Sequence, residues 1–178
     1  MSVNITHESV ITNEQCLSWR ELAKRLYFKR RIGGEYTLGW YQLYVRLDWY
    51  YYAIHGNDLT FAPNIKDCSV KDITGYFIQA NSEFQQCIFT CPKPVEENTY
   101  IFLYASRQMS AGVCTTKMYH LVTGINYKQE FSIDIGIILT SLLPMPLIKH
   151  NKLFFYFKLV NAVSGWSGNR LYMSCLID

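Results

Sequence analysis

The sequence predicts an α+β fold in which one or two helices cover an antiparallel β-sheet and a basic amphipathic helix leads into it. Three observations predict this fold. Apolar residues near the N-terminus recur at helical spacing, and the stretch that follows alternates between apolar and polar residues. Several short strand-like segments, separated by turns, then fill the second half of the chain. Residues 1–11 are polar and are expected to form a flexible N-terminus.

The predicted N-terminal helix covers residues 12–32. Thr12 and Gln15 are three residues apart, the spacing of a capping box that opens a helix. Gly33 and Gly34 are predicted to end it. Its apolar residues fall at i, i+3, i+4 and i+7 and would share one face: Trp19, Leu22, Ala23 and Leu26.

This segment also holds the excess positive charge of the protein. Residues 20–31 contain a single acid, Glu21, and carry a charge of +5, whereas the whole chain carries +3. The basic residues are Arg20, Lys24, Arg25, Lys29, Arg30 and Arg31. Such a cluster indicates an anionic partner, either phospholipid headgroups or nucleic-acid phosphates. The plainer interpretation is a solvated helix face packed on the domain through its apolar stripe.

A long strand is predicted at residues 38–54. Apolar or aromatic residues occupy the odd positions 41–53, which would form the buried face of the strand. The even face carries Tyr44, Tyr50 and Tyr52. An aromatic sheet face of this kind can stack bases, although sheet packing or an oligomer interface is the more common role.

The rest of the chain adds a short strand at 59–62, a helix at 69–80 and a series of further strands. The predicted strands cover 84–91, 99–107, 113–123, 130–140, 152–162 and 170–177. A turn is predicted at 124–126. No repeat or linker divides the region, so residues 35–178 are expected to form a single α+β core domain.

An apolar loop interrupted by two prolines is the second candidate site. It consists of Leu142, Leu143, Pro144, Met145, Pro146, Leu147 and Ile148. The prolines keep the segment out of a central strand. The loop is either a buried crossover or a protruding apolar segment that enters a second copy of the protein.

The residue types and their spacing indicate neither an enzyme nor a cofactor or metal site. The four histidines are scattered, and no acidic pair or nucleophile with its base is evident. Cys87 and Cys91 have a spacing that suits one face of a strand better than a zinc site, so buried reduced thiols are expected. Charged residues make up 17% of the chain and aromatic residues 16%, which favours exposed apolar patches and self-association. We expect no signal peptide and no transmembrane helix.

Several stretches resemble the matrix proteins of rhabdoviruses, particularly the short versions found in plant-infecting members. A predicted strand, WYQLYVRLDWYYY, precedes a predicted helix, SVKDITGYFIQ. The later segments EFSIDIGIIL and AVSGWSGNRLYMSCLI complete the order, so the resemblance covers residues 38–178. The lysine-rich tail of animal-virus members is absent, and the helix of residues 12–31 would serve in its place.

The resemblance implies a structural role inside a virion. The protein would coat the inner face of the envelope, bind and condense the helical nucleocapsid, self-assemble and support budding, and it would occur in the host cytoplasm before assembly. The basic residues named above would contact the membrane or nucleocapsid, and Leu142 to Ile148 would be the self-association loop. Itself, the nucleocapsid, an anionic membrane and RNA are therefore the expected partners, with no small-molecule substrate.

Two other function classes stay open at this point. One is an RNA-binding accessory protein, such as a silencing suppressor or a movement-associated factor, which the basic segment would also suit. The other is an enzyme or a small-ligand-binding barrel, which a deep pocket with convergent polar groups would reveal.

Overall fold

The computed structural model describes residues 11–29, 32–91, 98–126, 131–143 and 146–178. These residues have an α+β fold with antiparallel sheets, which confirms the predicted fold class. The helices are Asn13–Arg25 (α1), Trp40–His55 (α2) and Gly136–Leu142 (α3). The first five strands are Phe28–Lys29 (β1), Glu35–Tyr36 (β2), Phe77–Asn81 (β3), Gln86–Cys91 (β4) and Thr99–Ala105 (β5). The remaining five are Met109–Ser110 (β6), His120–Asn126 (β7), Phe131–Asp134 (β8), Asn151–Asn161 (β9) and Leu171–Leu176 (β10).

Two sheets form the body of the fold. The larger sheet has the strand order β10-β9-β5-β7, and β6 also pairs with β9. The smaller sheet has the order β3-β4-β8, and β1 and β2 form a separate hairpin. The C-terminal residue links the last strand of the larger sheet to the smaller sheet, since the Asp178 N–H donates to the Ala80 carbonyl oxygen at 3.0 Å.

The main core lies between one face of the larger sheet and the smaller sheet. Alternate residues of β9 point into it, namely Leu153, Phe155, Phe157 and Leu159. The smaller sheet contributes Phe89, and α3 closes the core with Leu139. Period-two alternation in β9 therefore gives the larger sheet one fully buried face.

Helices α1 and α2 form a third layer with a core of their own. Trp19 is fully buried, and its ring meets that of Tyr44 edge to face at 5.2 Å. Leu22 and Leu26 pack beside it against α2, so the predicted apolar stripe of α1 lies inside the fold. Helix α2 rests on the second face of the larger sheet, where Tyr50 packs against Phe102 and Val160.

The predicted strand at 38–54 is wrong, because these residues form α2. The same residues satisfy helical spacing: Leu43, Leu47 and Tyr50 lie at i, i+4 and i+7 and are buried. Gly56 ends the helix in a left-handed conformation, with φ of 74°, and its N–H donates to the Tyr52 carbonyl oxygen. Burial of one helical face against two layers outweighs the strand preference of the aromatic residues.

The predicted helix of residues 12–32 is shorter in the structure. Thr12 and Gln15 form the reciprocal capping box, but the helix ends at Arg25 and the next residue, Leu26, is extended. Gly33 and Gly34 have φ values of 55° and 77° and lie between β1 and β2 rather than at a helix end. Residues 1–10 lie outside the described part of the chain.

Further predictions between residues 59 and 140 are wrong in whole or in part, because the strand and helix signals there are short. The predicted helix at 69–80 is irregular up to Tyr76 and then enters β3, and residues 59–62 form no strand. The predicted turn at 124–126 lies within β7. The strand expected at 130–140 breaks after Asp134, whose carboxylate accepts hydrogen bonds from the N–H groups of Gly136 and Cys87, and α3 follows.

Four strand predictions are confirmed within a few residues. They correspond to β4, β5, β9 and β10. Each has apolar residues at alternate positions and a turn signal at its ends, so pattern and packing agree there.

Candidate functional site

The six predicted basic residues do not share one helix. Arg20, Lys24 and Arg25 lie exposed on α1. Lys24 donates to the Glu21 carboxylate at 2.7 Å, and this hydrogen bond lowers the pKa of Glu21. Both side chains are exposed, so the pair is weakly held and Lys24 stays accessible to an anion.

The remaining basic residues follow α1 in the sequence. Lys29 is the second residue of β1, whereas Arg30 and Arg31 lie outside the described residues. Two apolar side chains beside this basic run are open to solvent: Tyr27 is 63% exposed and Ile32 is 92% exposed. The segment from Arg25 to Tyr36, the basic hairpin, thus combines positive charge with exposed apolar groups.

The predicted self-association loop is only partly available to a partner. Leu147 is 5% exposed, and its N–H donates to Oε1 of Gln85 at 2.7 Å. Leu143 is half-buried against the main core, while Leu142, Pro146 and Ile148 are exposed. Pro144 and Met145 lie outside the described residues. The interpretation of the whole loop as a protruding segment is therefore wrong for Leu147.

The predicted aromatic sheet face is wrong, because its three tyrosines lie on helix α2. Tyr44 and Tyr50 are buried against α1 and the larger sheet. Tyr52 is 40% exposed. The hydroxyl of Tyr50 accepts a hydrogen bond from Lys158 at 2.7 Å, so this ring joins α2 to β9 rather than facing a ligand.

An aromatic groove that the sequence did not reveal lies on the outer face of the larger sheet. Its volume is about 580 Å³. It lies over β9 and β10 and under the segment between β6 and β7. Its walls include Lys117, Tyr119, Phe154, Arg170, Tyr172 and Ser174, and we call it the tyrosine groove.

Tyr156 is the centre of the aromatic packing beneath this groove. Its ring stacks on Tyr104 with centroids 4.4 Å apart and meets the ring of Tyr119 edge to face at 4.8 Å. The Arg170 guanidinium lies 5.1 Å from the Tyr156 ring centroid, a cation–π geometry. Burial raises the pKa of both Tyr119 and Tyr156, and the Tyr172 hydroxyl raises that of Arg170. Tyr119, Tyr156 and Arg170 therefore keep their usual protonation at neutral pH.

The sequence of β9 contains one pattern that could have indicated the groove. Every second residue of that strand is aromatic or basic, from Lys152 through Phe154 and Tyr156 to Lys158. This set faces away from the core-facing set, so β9 has two occupied faces. The partners Tyr119 and Tyr172 come from distant segments, and their convergence depends on strand pairing that a single sequence does not specify.

Four of the six cysteines are buried, whereas Cys16 is partly buried and Cys114 is exposed. Cys87 and Cys91 are fully buried on one face of β4, as predicted. The Cys175 thiol hydrogen-bonds to Cys87, and together with burial this raises the Cys87 pKa. Within the described ranges, no group of three or more histidine, cysteine, aspartate or glutamate side chains is placed to hold a metal ion.

None of the described helices combines the length and the apolar character that crossing a membrane requires. No family model, curated protein or solved structure matches the chain.

Proposed function

We propose that this protein is a matrix-type structural protein of an enveloped negative-strand RNA virus. In this role it lies beneath the envelope, binds the anionic inner leaflet, contacts the helical nucleocapsid and assembles with further copies of itself. The observation that carries the proposal is the basic hairpin, where exposed Tyr27 and Ile32 flank a run of positive charge.

The position of the apolar stripe of α1 decides how such a membrane contact would work. Trp19, Leu22 and Leu26 are packed against α2 and are not free to enter lipid. The helix therefore cannot lie in the bilayer interface through that face, as an isolated amphipathic helix would. Contact would instead rest on exposed charge, at about 1 kcal/mol per basic residue near an anionic leaflet, with shallow insertion of Ile32 and Tyr27.

Self-assembly has separate support at another place in the fold. Ile137 and Leu142 of α3 are 82% and 46% exposed, and Ile148 just beyond is 42% exposed. These apolar side chains, close together in the sequence, are the surface that we propose contacts a second copy. The resemblance of residues 38–178 to rhabdovirus matrix proteins points to the same structural role, with the nucleocapsid as the second partner.

Vesicle flotation tests the membrane part of the proposal. The full chain is expected to float with phosphatidylcholine vesicles that contain phosphatidylserine. With vesicles of phosphatidylcholine alone it is expected to remain at the bottom of the gradient. Joint replacement Arg25→Gln, Arg30→Gln and Arg31→Gln is expected to weaken binding roughly a hundredfold, since three basic contacts of about 1 kcal/mol each are lost. Ile32→Asp is expected to weaken it further through loss of insertion and added repulsion.

A control of equal charge separates local contact from general attraction. Lys66, Arg107 and Lys149 are exposed and lie outside the basic hairpin, so their joint replacement by glutamine removes the same charge elsewhere. This variant should retain most of the binding. Equal weakening by both triple variants, or binding that ignores lipid charge, would remove the membrane contact from the proposal.

Electron microscopy of the same vesicles tests assembly. An ordered protein coat is expected at saturating protein. Dispersed single molecules on the vesicle surface at that concentration would show that the protein binds membranes without forming a matrix.

A further inference from the structure

We propose that the tyrosine groove binds single-stranded nucleic acid, stacking a base on its exposed tyrosine and neutralising phosphates with Arg170 and Lys117. This site is separate from the basic hairpin, and the inference does not depend on the proposed membrane contact. It rests on the shape, aromatic content and charge of the groove.

The shape suits one nucleotide unit of a continuous strand. A volume of about 580 Å³ falls within the range of small-ligand sites. The groove is not fully enclosed, so a ligand can reach it from solvent. Tyr172 on β10, an edge strand of the larger sheet, forms one wall.

The aromatic arrangement supplies a rigid stacking surface. Tyr172 is 56% exposed, yet its ring lies 5.7 Å from that of Tyr156 and 6.4 Å from that of Tyr119. Tyr156 is itself 8% exposed and stacks on Tyr104 of the neighbouring strand. The exposed ring thus lies beside packed rings, so little conformational freedom is lost when a base stacks on it. Single-stranded nucleic-acid sites commonly use aromatic side chains on a sheet in this way.

The charge of the groove selects an anionic ligand. Of the residues that line it, Lys117 and Arg170 are basic and none is acidic. Both basic side chains are exposed. Arg170 already lies over the Tyr156 ring, and a guanidinium held in this way can stack with a base or bind phosphate. The hydroxyl groups of Thr115, Thr116 and Ser174 add polar contacts for sugars and base edges.

Other flat ligands fit less well. A neutral aromatic molecule would leave both basic side chains unpaired, and a polyanion without bases would leave the exposed tyrosine unused. A ligand that offers both a flat ring and regularly spaced negative charge satisfies both features of the groove. Single-stranded RNA has this chemistry.

Fluorescence anisotropy with a short labelled oligouridylate tests the inference on the full chain. Tyr172→Ala is expected to weaken binding by about five- to a hundredfold, the range of one base–aromatic stack, whereas Tyr172→Phe retains binding. Arg170→Gln and Lys117→Gln are each expected to reduce the slope of log affinity against log salt by about 0.7. Heparin, a polyanion without bases, should respond to the two basic variants but not to Tyr172→Ala.

Matched controls are available on other surfaces. Phe84 is 66% exposed in the turn between β3 and β4, so Phe84→Ala removes an exposed ring elsewhere, and Lys66→Gln removes an exposed charge. Neither should change RNA binding. Circular dichroism of each variant establishes that it is folded before its affinity is compared.

The basic hairpin is a second possible source of RNA affinity, so the measurement is repeated with Arg25, Arg30 and Arg31 replaced by glutamine. The tyrosine groove is supported if Tyr172→Ala still lowers affinity in that background. The inference is overturned if Tyr172→Ala matches Phe84→Ala in that background, or if it weakens heparin and RNA equally. Absence of binding by the unmodified chain overturns it as well.

Discussion

Cys68 shows how burial and one neighbouring charge set the chemistry of a single side chain. Its side chain is 7% exposed, and burial together with the Asp67 carboxylate raises the thiol pKa from 9.0 to about 11. Burial is the larger cause, because a thiolate in this position loses its hydration. Cys114 offers the contrast, since it is exposed on the segment before β7.

These two thiols predict a pH-dependent labelling pattern. With labelling begun at about pH 8, iodoacetamide should reach the exposed Cys114 first, whereas Cys68 should react only as pH approaches 11, because its thiolate is the nucleophile. Peptide mass spectrometry after brief labelling measures each site separately. Equal labelling of Cys68 and Cys114 at the lower pH would contradict burial of the Cys68 thiol.

The raised pKa of Cys68 also makes the stability of the folded state depend on pH. The folded state holds the Cys68 proton more tightly than the unfolded state, whose thiol keeps a pKa near 9.0. The contribution to stability is therefore complete below about pH 9 and is lost as pH rises from there through 11. A Cys68→Ala variant lacks this component of alkaline destabilisation and serves as its control.

At the scale of elements, α2 connects α1 to the larger sheet. Its buried face contacts α1 on one side and the larger sheet on the other through Leu43, Leu47 and Tyr50. It also meets the turn after β9, where Gly165 has φ of 68° and lies against the backbone of Leu47. The His55 ring contacts the Ala162 carbonyl oxygen at 2.8 Å in the same region.

Gly165→Ala is predicted to destabilise the protein by about 2–5 kcal/mol. An added Cβ would overlap the Leu47 carbonyl oxygen, and a positive φ is unfavourable for alanine. Urea unfolding followed by circular dichroism measures the loss. Gly112→Ala is the control, because nothing lies within 4 Å of its Cβ position, and it should change stability by less than about 0.5 kcal/mol. Similar losses in both variants would mean that α2 does not approach this turn closely.

Comparison of elements also explains what the sequence could predict. Strand β9 was recognisable because its alternation has no competing helical pattern, and Thr12 with Gln15 marked the start of α1. Helix α2 was not recognisable, because Tyr41, Val45 and Trp49 on its exposed face are apolar and complete a period-two pattern. Which face is buried depends on contacts with α1 and the larger sheet, and these contacts are distant in sequence.

The two candidate sites also differ in how far the sequence could predict them. Charge is a local property, so the basic residues were identified directly, although the end of α1 at Arg25 distributes them over two elements. The tyrosine groove depends on the pairing of β9 with β10 and on the placement of Tyr119 from before β7. No spacing rule connects residues 119, 156 and 172, so only the folded chain brings them together.

At the scale of the whole molecule, two glutamines hold the segment after α3 onto the body of the protein. Gln85 exchanges hydrogen bonds with both backbone groups of Leu147, at 2.7 Å and 3.0 Å. Gln108 accepts from the Ile148 N–H at 2.8 Å and donates to the Pro146 carbonyl oxygen at 2.7 Å. The segment thus joins the main core at Leu147 and leaves its other described apolar side chains nearer the surface.

This geometry predicts that substitutions in one short segment will separate folding from assembly. Leu147→Asp places a carboxylate in the main core and should lower the free energy of unfolding by about 3–5 kcal/mol. Leu142→Asp and Ile148→Asp alter side chains that are 46% and 42% exposed, so stability should change by less than about 0.5 kcal/mol.

If this surface mediates self-association, Leu142→Asp and Ile148→Asp should sediment as smaller species than the unmodified chain at equal concentration. Sedimentation velocity and urea unfolding on the same samples measure both quantities, with Phe84→Asp as an exposed control on the turn after β3. Unchanged assembly in both exposed variants would place the contact between copies elsewhere on the molecule, and a stable Leu147→Asp variant would contradict the buried position of that side chain.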